Sequence, residues 1–285
     1  MVRIIADSSC DLDPAICEKN QIEIVPLTVT LEDGTTFLDG HWDMDAFYRH
    51  LSSCKKLPTT SQPSPALFAQ AYAAAKEAGD EVITITITTG ASGTFQSASV
   101  AAQVAEYEDH VHVIDSRNIS LAMGGLVLYA CQLRDKGMPV DEIVAELERI
   151  KTHIHLFAAV HNLENLHKGG RLSGTATFAG TLLGIKPYLT VKDGVITLVG
   201  KARGLPGAYA AMFKHMDDWG GVCRQCGTFA AYSVSRQEMD PIEQYFEKVS
   251  YPAPLIGRIG TVVGTHVGAG AFGFAFFDAT AEPIV

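Results

Sequence analysis

The chain has 285 residues, 47% of them hydrophobic, and a formal net charge of −10. An acidic chain lacks the basic footprint that phosphate backbones need, which excludes nucleic acid as the main partner. No segment reaches the ~18 consecutive apolar residues of a membrane span, and Met1–Asp7 has no basic stretch leading into a long apolar core, so a cytoplasmic address is expected.

Taken in order, the elements alternate. Val2–Ala6 reads as a strand ending at Asp7-Ser8-Ser9, a helix N-cap cluster. Ile22–Val29 reads as a second strand, Glu32-Asp33-Gly34 as a turn, and Trp42–Ser52 as a helix. Pro65–Ala78 is a helix with Ser64 as its cap and Pro65 at its first position. Glu81–Thr88 is a β-branched strand, followed by helix Phe95–Glu106, strand Val111–Ile114 and helix Asn118–Lys136. In Val140–Thr152 the residues Ile143, Val144, Leu147 and Ile150 recur at helical period. Strands separated by helices predict a parallel sheet covered on both faces.

The second half changes character. Leu156–Val160 is a strand, and Lys186–Lys192, Asp193-Gly194 and Val195–Gly200 form a hairpin. Helix Ala208–Trp219, strand Thr228–Ser233 and helix Pro241–Glu247 follow, and both Leu255–His266 and Ala271–Phe277 read as strand-like. The expected fold class is α/β with two domains: residues 1–154 an N-terminal parallel-sheet α/β sandwich, residues 155–285 an α+β domain with a mixed or antiparallel sheet, and a ligand between them.

The chemistry concentrates in turns. In Thr88-Thr89-Gly90-Ala91-Ser92-Gly93-Thr94 a strand hands over to a helix amid hydroxyls and glycines. A Walker loop is excluded because no Lys follows Gly93, and no GxGxxG follows the first strand. A hydrolase elbow, G-x-S-x-G, is matched at Gly90 and Ser92 but not at Thr94. A Ser…Asp…His order is met by Ser92, Asp240 and His266, whereas Asp278 follows the histidine. The third reading is an anion site made of hydroxyls and helix-start amides. Thr59-Thr60-Ser61-Gln62-Pro63-Ser64 forms a second such cluster ahead of another helix. A basic run, Lys168, Arg171, Lys186, Lys192, Lys201 and Arg203, is opposed only by Asp193 and suggests a local anion or an acidic partner. No HExxH and no Cys/His grouping has metal spacing, so neither metal nor cofactor is expected. The six cysteines are expected as free thiols. Cys223-Arg224-Gln225-Cys226 lacks the second pair of a zinc site and the strand-then-helix frame of a redox motif, and is assigned no function.

Seven segments together resemble the DegV family: DSSCDL (Asp7–Leu12), TSQPS (Thr60–Ser64), SGTFQSA (Ser92–Ala98), LENLHKGGRLSG (Leu163–Gly174), LLGIKPYL (Leu182–Leu189), GKAR (Gly200–Arg203) and VVGTHVGAGAFGFAF (Val262–Phe276). The resemblance implies a non-catalytic protein that holds one long-chain fatty acid in a buried tunnel between two domains. It also implies that the acyl chain is presented to a separate fatty acid kinase, for phospholipid metabolism. Carried over by motif, Thr60, Ser92 and His266 hold the carboxylate, with Ser61, Gly93 and Thr94 in the supporting turns. Arg171 and Arg203 contact the kinase or the acyl phosphate, for which guanidinium forks suit better than lysines. Residues 176–183 and 268–277 are expected to line the tunnel. The partners implied are the fatty acid and the kinase, with room for transient contact with a membrane surface. The alternative function is a serine esterase using Ser92.

Overall fold

The computed structural model describes residues 1–173 and 184–284. The chain opens with β1 (Val2–Asp7), α1 (Pro14–Lys19) and β2 (Ile22–Val25). Short strands β3 (Thr28–Thr30), β4 (Thr36–Leu38) and β5 (Thr59–Ser61) follow, with α2 (Met44–Ser53) between the last two. Next come α3 (Pro65–Ala78), β6 (Glu81–Thr86), α4 (Thr94–Val104), β7 (Val111–Asp115), α5 (Ser120–Asp135) and α6 (Val140–Ile150). The remainder is β8 (Ile154–Ala159), α7 (Glu164–Lys168), β9 (Ile185–Lys192), β10 (Val195–Arg203), α8 (Gly204–Asp218), β11 (Thr228–Tyr232), α9 (Asp240–Lys248), β12 (Leu255–Arg258), α10 (Thr261–Val267) and β13 (Phe272–Phe277).

The first sheet is parallel, in the order β2-β1-β6-β7. Alternate residues of a strand face opposite sides. Ile5, Val82 and Val111 accordingly pack with Phe68 and Tyr72 of α3 and Ala98 and Ala101 of α4. Ile4, Ile83 and Ile85 pack on the other side with Leu126 of α5 and Ile143 and Leu147 of α6. The second sheet is mixed, in the order β10-β9-β8-β13-β11-β12, and is antiparallel except for the β11–β12 pair. Its Phe157, Phe272, Phe274 and Phe276 face Tyr209, Met212 and Phe213 of α8 and Phe246 of α9. Its other face, with Leu156, Phe229 and Phe277, belongs to the same core as α5.

Helix α5 therefore lies between the two sheets, which explains why Leu121–Leu133 is apolar almost all round rather than along one stripe. Two of its glycines are forced by close approach. A Cβ at Gly124 would meet the Cys10 carbonyl oxygen at 2.8 Å, and one at Gly125 would meet Phe229 Cε2 at 2.5 Å.

Two sequence expectations are corrected. Ile22–Val29 is not one strand: Pro26, which has no N–H to donate, separates β2 from β3, and β3 joins a third sheet of order β4-β3-β5. Leu255–His266 is not one strand either: β12 ends at Arg258, and Thr261–Val267 is helical. Among the described residues no helix is long and apolar enough to cross a membrane. Residues 176–183, expected to line a tunnel, lie outside the described residues.

Candidate functional site

The site is built around α10. The β-branched pair Val262-Val263 favours a strand locally, but two distant carboxylates cap a helix start instead. Asp11 Oδ1 accepts from the Gly260 N–H at 2.8 Å, and Asp39 Oδ1 accepts from the Thr261 N–H at 3.0 Å and its hydroxyl at 2.6 Å. Carboxyl oxygens at a helix N-terminus satisfy its unpaired amides, and burial pushes the Asp11 carboxyl well above the usual carboxylate range. Ser120 Oγ donates to the other oxygen of Asp11 at 2.5 Å. Tyr48 pins the approach by donating to the Ile259 carbonyl at 2.8 Å. A Cβ at Gly264 would meet that phenol oxygen at 2.4 Å, so the tyrosine demands glycine there. Asp7 caps the opposite element, accepting from the Ile87 N–H at 2.6 Å just past β6. Its burial raises its carboxyl to about 6, against the hydrogen bonds that lower it. The DSSCDL carboxylates thus fasten the frame.

This frame presents His266, near the C-terminal end of α10, to Thr60 on β5. His266 Nε2 and Thr60 Oγ1 are 2.8 Å apart. The ring's Nδ1 is buried and has no hydrogen-bond partner. Burial, with the Arg171 cation beside it, holds the imidazole down at about 4, so the ring is neutral at pH 7. The KGGR turn packs against it: a Cβ at Gly169 would stand 2.5 Å from His266 Nδ1.

The turn after β6 supplies the facing side. Ala91 and Ser92 N–H groups both donate to the Thr88 carbonyl. The tip of the β9–β10 hairpin docks here, where Thr88 Oγ1 donates to the Gly194 carbonyl at 2.6 Å. A Cβ at Gly90 would meet that same carbonyl oxygen at 2.3 Å. Ser92 Oγ and Thr94 Oγ1 are 2.9 Å apart, and Gly93 begins α4 with no side chain capping its first amides. Arg171 ties the two turns together. Its Nε donates to the Ala91 carbonyl at 3.1 Å and its Nη1 to the Gly169 carbonyl at 2.5 Å.

Between these parts lies a cavity of about 270 Å³, near the lower end of pockets that take small ligands. Its polar lining comes from Thr60, Ser61, Gln62, Ser92, Gly93, Arg171 and His266, and its apolar lining from Leu27, Ile87, Ile119, Leu166, Ile196, Val262, Val263 and Val267. Ile119, Val263 and Val267 also line a second, small apolar space of about 30 Å³, with Leu156, Ala271, Phe274 and Ala275. A polar chamber therefore backs onto an apolar seam between α5, α10 and the mixed sheet.

The profile of a family described as "Uncharacterised protein, DegV family" matches residues 1–279. The chain belongs to the DegV family. It is 35% identical over 281 residues to a DegV domain-containing protein of Clostridium acetobutylicum, covering 97% of this chain and 98% of that one. A solved structure described as fatty acid binding of a DegV family protein from Thermus thermophilus superposes with a TM-score of 0.90 at 32% identity, over 97% of this chain and 99% of that one. A stearic acid-binding protein from Eubacterium ventriosum superposes with a TM-score of 0.86 at 26% identity, over 98% and 99%. The parallel sheet and the mixed sheet of this chain match the two-domain fold of these DegV neighbours.

Of the residues singled out in this DegV chain, Thr60, Ser61, Ser92, Gly93, Arg171 and His266 line one cavity, and Thr94 buttresses Ser92 from behind. Arg203 does not line it; it is exposed at the end of β10. The basic run does not converge as a unit, since Lys168 is paired with Glu164 at 2.5 Å and Lys186 reaches His161 at 3.2 Å. The esterase triad is not assembled. His266 engages Thr60 rather than Ser92, Asp240 pairs with Arg236, and Asp278 serves His153 and His155. Ser64 stands at the N-cap of α3 but its hydroxyl makes no cap bond. Sequence reasoning missed Gln62, whose amide lies over Gly93 so closely that a Cβ there would meet Oε1 at 2.2 Å. It missed the service of Gly169 to His266 as well. Both sit inside motifs already singled out, TSQPS and KGGR, so the signal was present without its meaning.

Proposed function

We propose that this DegV protein binds one long-chain fatty acid, with its carboxylate at Thr60, Ser92 and His266 and its acyl chain in a tunnel between residues 1–154 and residues 155–285 read as two domains. The observation that carries the reading is one cavity in which a hydroxyl–imidazole pair, further hydroxyls, an amide and a guanidinium face a wall of aliphatic side chains. Fatty-acid binding named for related DegV structures supports the same chemistry. Burying an acyl chain of about sixteen carbons gains on the order of 10 kcal/mol gross at ~0.8 kcal/mol per CH₂, offset in part by lost freedom. A buried carboxylate must be hydrogen-bonded or it takes up a proton. Thr60 and Ser92 supply hydroxyl donors, Arg171 supplies positive charge, and His266 donates from whichever ring nitrogen carries the proton. The DegV chain acts without catalysis of its own and offers the head group to a separate fatty acid kinase, in a cytoplasmic setting. Arg171 and Arg203 contact the kinase or the acyl phosphate.

Native mass spectrometry of freshly purified protein, followed by lipid identification after denaturation, tests the binding. A 1:1 adduct of fatty-acid mass is expected. A ligand-free mass that stays unchanged after addition of palmitate or oleate overturns the reading. For the kinase role, lipid-loaded protein is mixed with a fatty acid kinase and ATP. Turnover undiminished by Arg171→Ala plus Arg203→Ala removes those arginines from the partner contact.

A further inference from the structure

The CxxC that sequence reasoning left without a function brings two free thiols together in the fold. Cys223 and Cys226 flank a turn formed by Arg224 and Gln225. A four-residue turn brings its end Cα atoms within about 7 Å, the range a disulfide spans. Their sulfurs lie 2.8 Å apart, and the residues are only 7% and 9% exposed. The turn is clamped on both sides. The Cys223 N–H donates to the Phe277 carbonyl at 2.8 Å, and the Arg224 guanidinium donates to the Ser250 and Val249 carbonyls and lies over the Tyr251 ring. A third observation gives access: Cys226 lines a separate cavity of about 230 Å³, together with Tyr129, Gln132, Gln225 and Pro283. Nearby histidines do not complete a metal site. His153 and His155 both engage Asp278, and no group of three or more His, Cys, Asp or Glu among the described residues is arranged to hold a metal.

We propose that Cys223 and Cys226 are a dithiol–disulfide couple, oxidised by a small-molecule disulfide that enters this cavity. The Cys226 sulfur attacks one sulfur of the small disulfide, whose S–S bond breaks and releases one thiol. The Cys223 sulfur then attacks the Cys226 sulfur, breaking the mixed bond and releasing the second thiol. The two cysteine protons leave on the released thiols, and two electrons pass from the protein to the small disulfide. Burial and the neighbouring Cys223 sulfur raise the Cys226 thiol above its usual range, so exchange is slow at neutral pH and quickens as pH rises. The couple sits just ahead of β11, where Phe229 lines both this cavity and the apolar seam. Closing the bond ties down the entry to that strand.

The test uses the full chain equilibrated without oxygen in glutathione buffers of stepped oxidised-to-reduced ratio, then acid-quenched, alkylated and digested with trypsin. Cleavage after Arg224 separates the two cysteines. The closed form is therefore recovered as two peptides joined by a disulfide, and the open form as two alkylated peptides. A single transition between them, with an intact mass lower by two hydrogens, is expected. Cys223→Ser is expected to stop at a glutathione adduct on Cys226. Separate alkylation of both cysteines at every ratio overturns the proposal, as does stoichiometric zinc released from the purified protein on unfolding.

Discussion

The two ends of α10 carry buried polar groups of opposite kinds. At its start, Asp11 and Asp39 accept from Gly260, Thr261 and Ser120, and these bonds hold the helix in place. At its far end, His266 has one partner, Thr60, and a buried ring nitrogen with none. Native folds pair nearly all buried polar atoms, so an orphan nitrogen on a residue that lines a cavity is the exception that calls for a reason. The comparison separates scaffold from site on one seven-residue helix: polar groups paired with the protein fasten it, and polar groups left over are available to a ligand.

The strongest way to break this comparison is to exchange the expected effects. Asp11→Ala leaves the Gly260 amide and Ser120 hydroxyl without their acceptor and is expected to cost about 3 kcal/mol of stability, read by urea denaturation. Thr60→Val with His266→Leu is expected to leave the urea midpoint near wild type and to weaken fatty-acid binding roughly 100-fold, since hydrogen bonds to a charged group contribute about 1.5–3 kcal/mol each. Titration calorimetry with palmitate reads the second effect. A stability loss as large as that of Asp11→Ala would make His266 scaffold too.

Gly169→Ala sharpens the contrast further. Its added methyl presses most closely on the His266 ring and leaves the Asp11 and Asp39 bonds to α10 untouched, and an affinity loss of about 10-fold without loss of fold is expected from a strain of about 1–2 kcal/mol. Unchanged palmitate affinity would remove ring placement from the reading.

The last contrast is in pH. The folded His266 pKa of about 4 lies below its ordinary 6.5, so between these values the unfolded chain binds more protons and stability rises with pH. Asp7, raised to about 6 from 3.8, acts with the opposite sign, because there the folded chain holds the extra proton and stability falls as pH rises. The difference between wild type and His266→Leu therefore isolates the histidine. It is expected to grow as pH falls from 6.5 towards 4 and to shrink when lipid is bound, because a carboxylate beside the ring raises its pKa. A difference independent of pH would contradict a buried, neutral His266.

Much of the fold was legible from pattern. Period-2 and continuous apolar runs located β1, β6, β7 and β8, and Ser64-Pro65 marked the start of α3 at the correct residue. The failures have separate causes. Residues 261–266 look like strand because Val262 and Val263 are β-branched, yet their helix is capped by carboxylates 249 and 222 residues away in sequence. The three-stranded sheet carrying Thr60 was missed because its strands are three residues each, too short for a period to show. The site was legible as motifs, since TSQPS, SGTFQSA and GTHVGAG each hold a lining residue.

The sequence by itself determined the element types wherever local periodicity and caps agree, the net negative charge, and the set of hydroxyls, arginines and histidine with chemistry to offer. Only the tertiary structure decided which of them meet. It brought Thr60 and His266 together across 206 residues, left Arg203 outside the cavity, and set the Cys223 and Cys226 sulfurs face to face. Local propensity acts over a few residues, whereas a buried polar atom takes its partner from wherever packing delivers one.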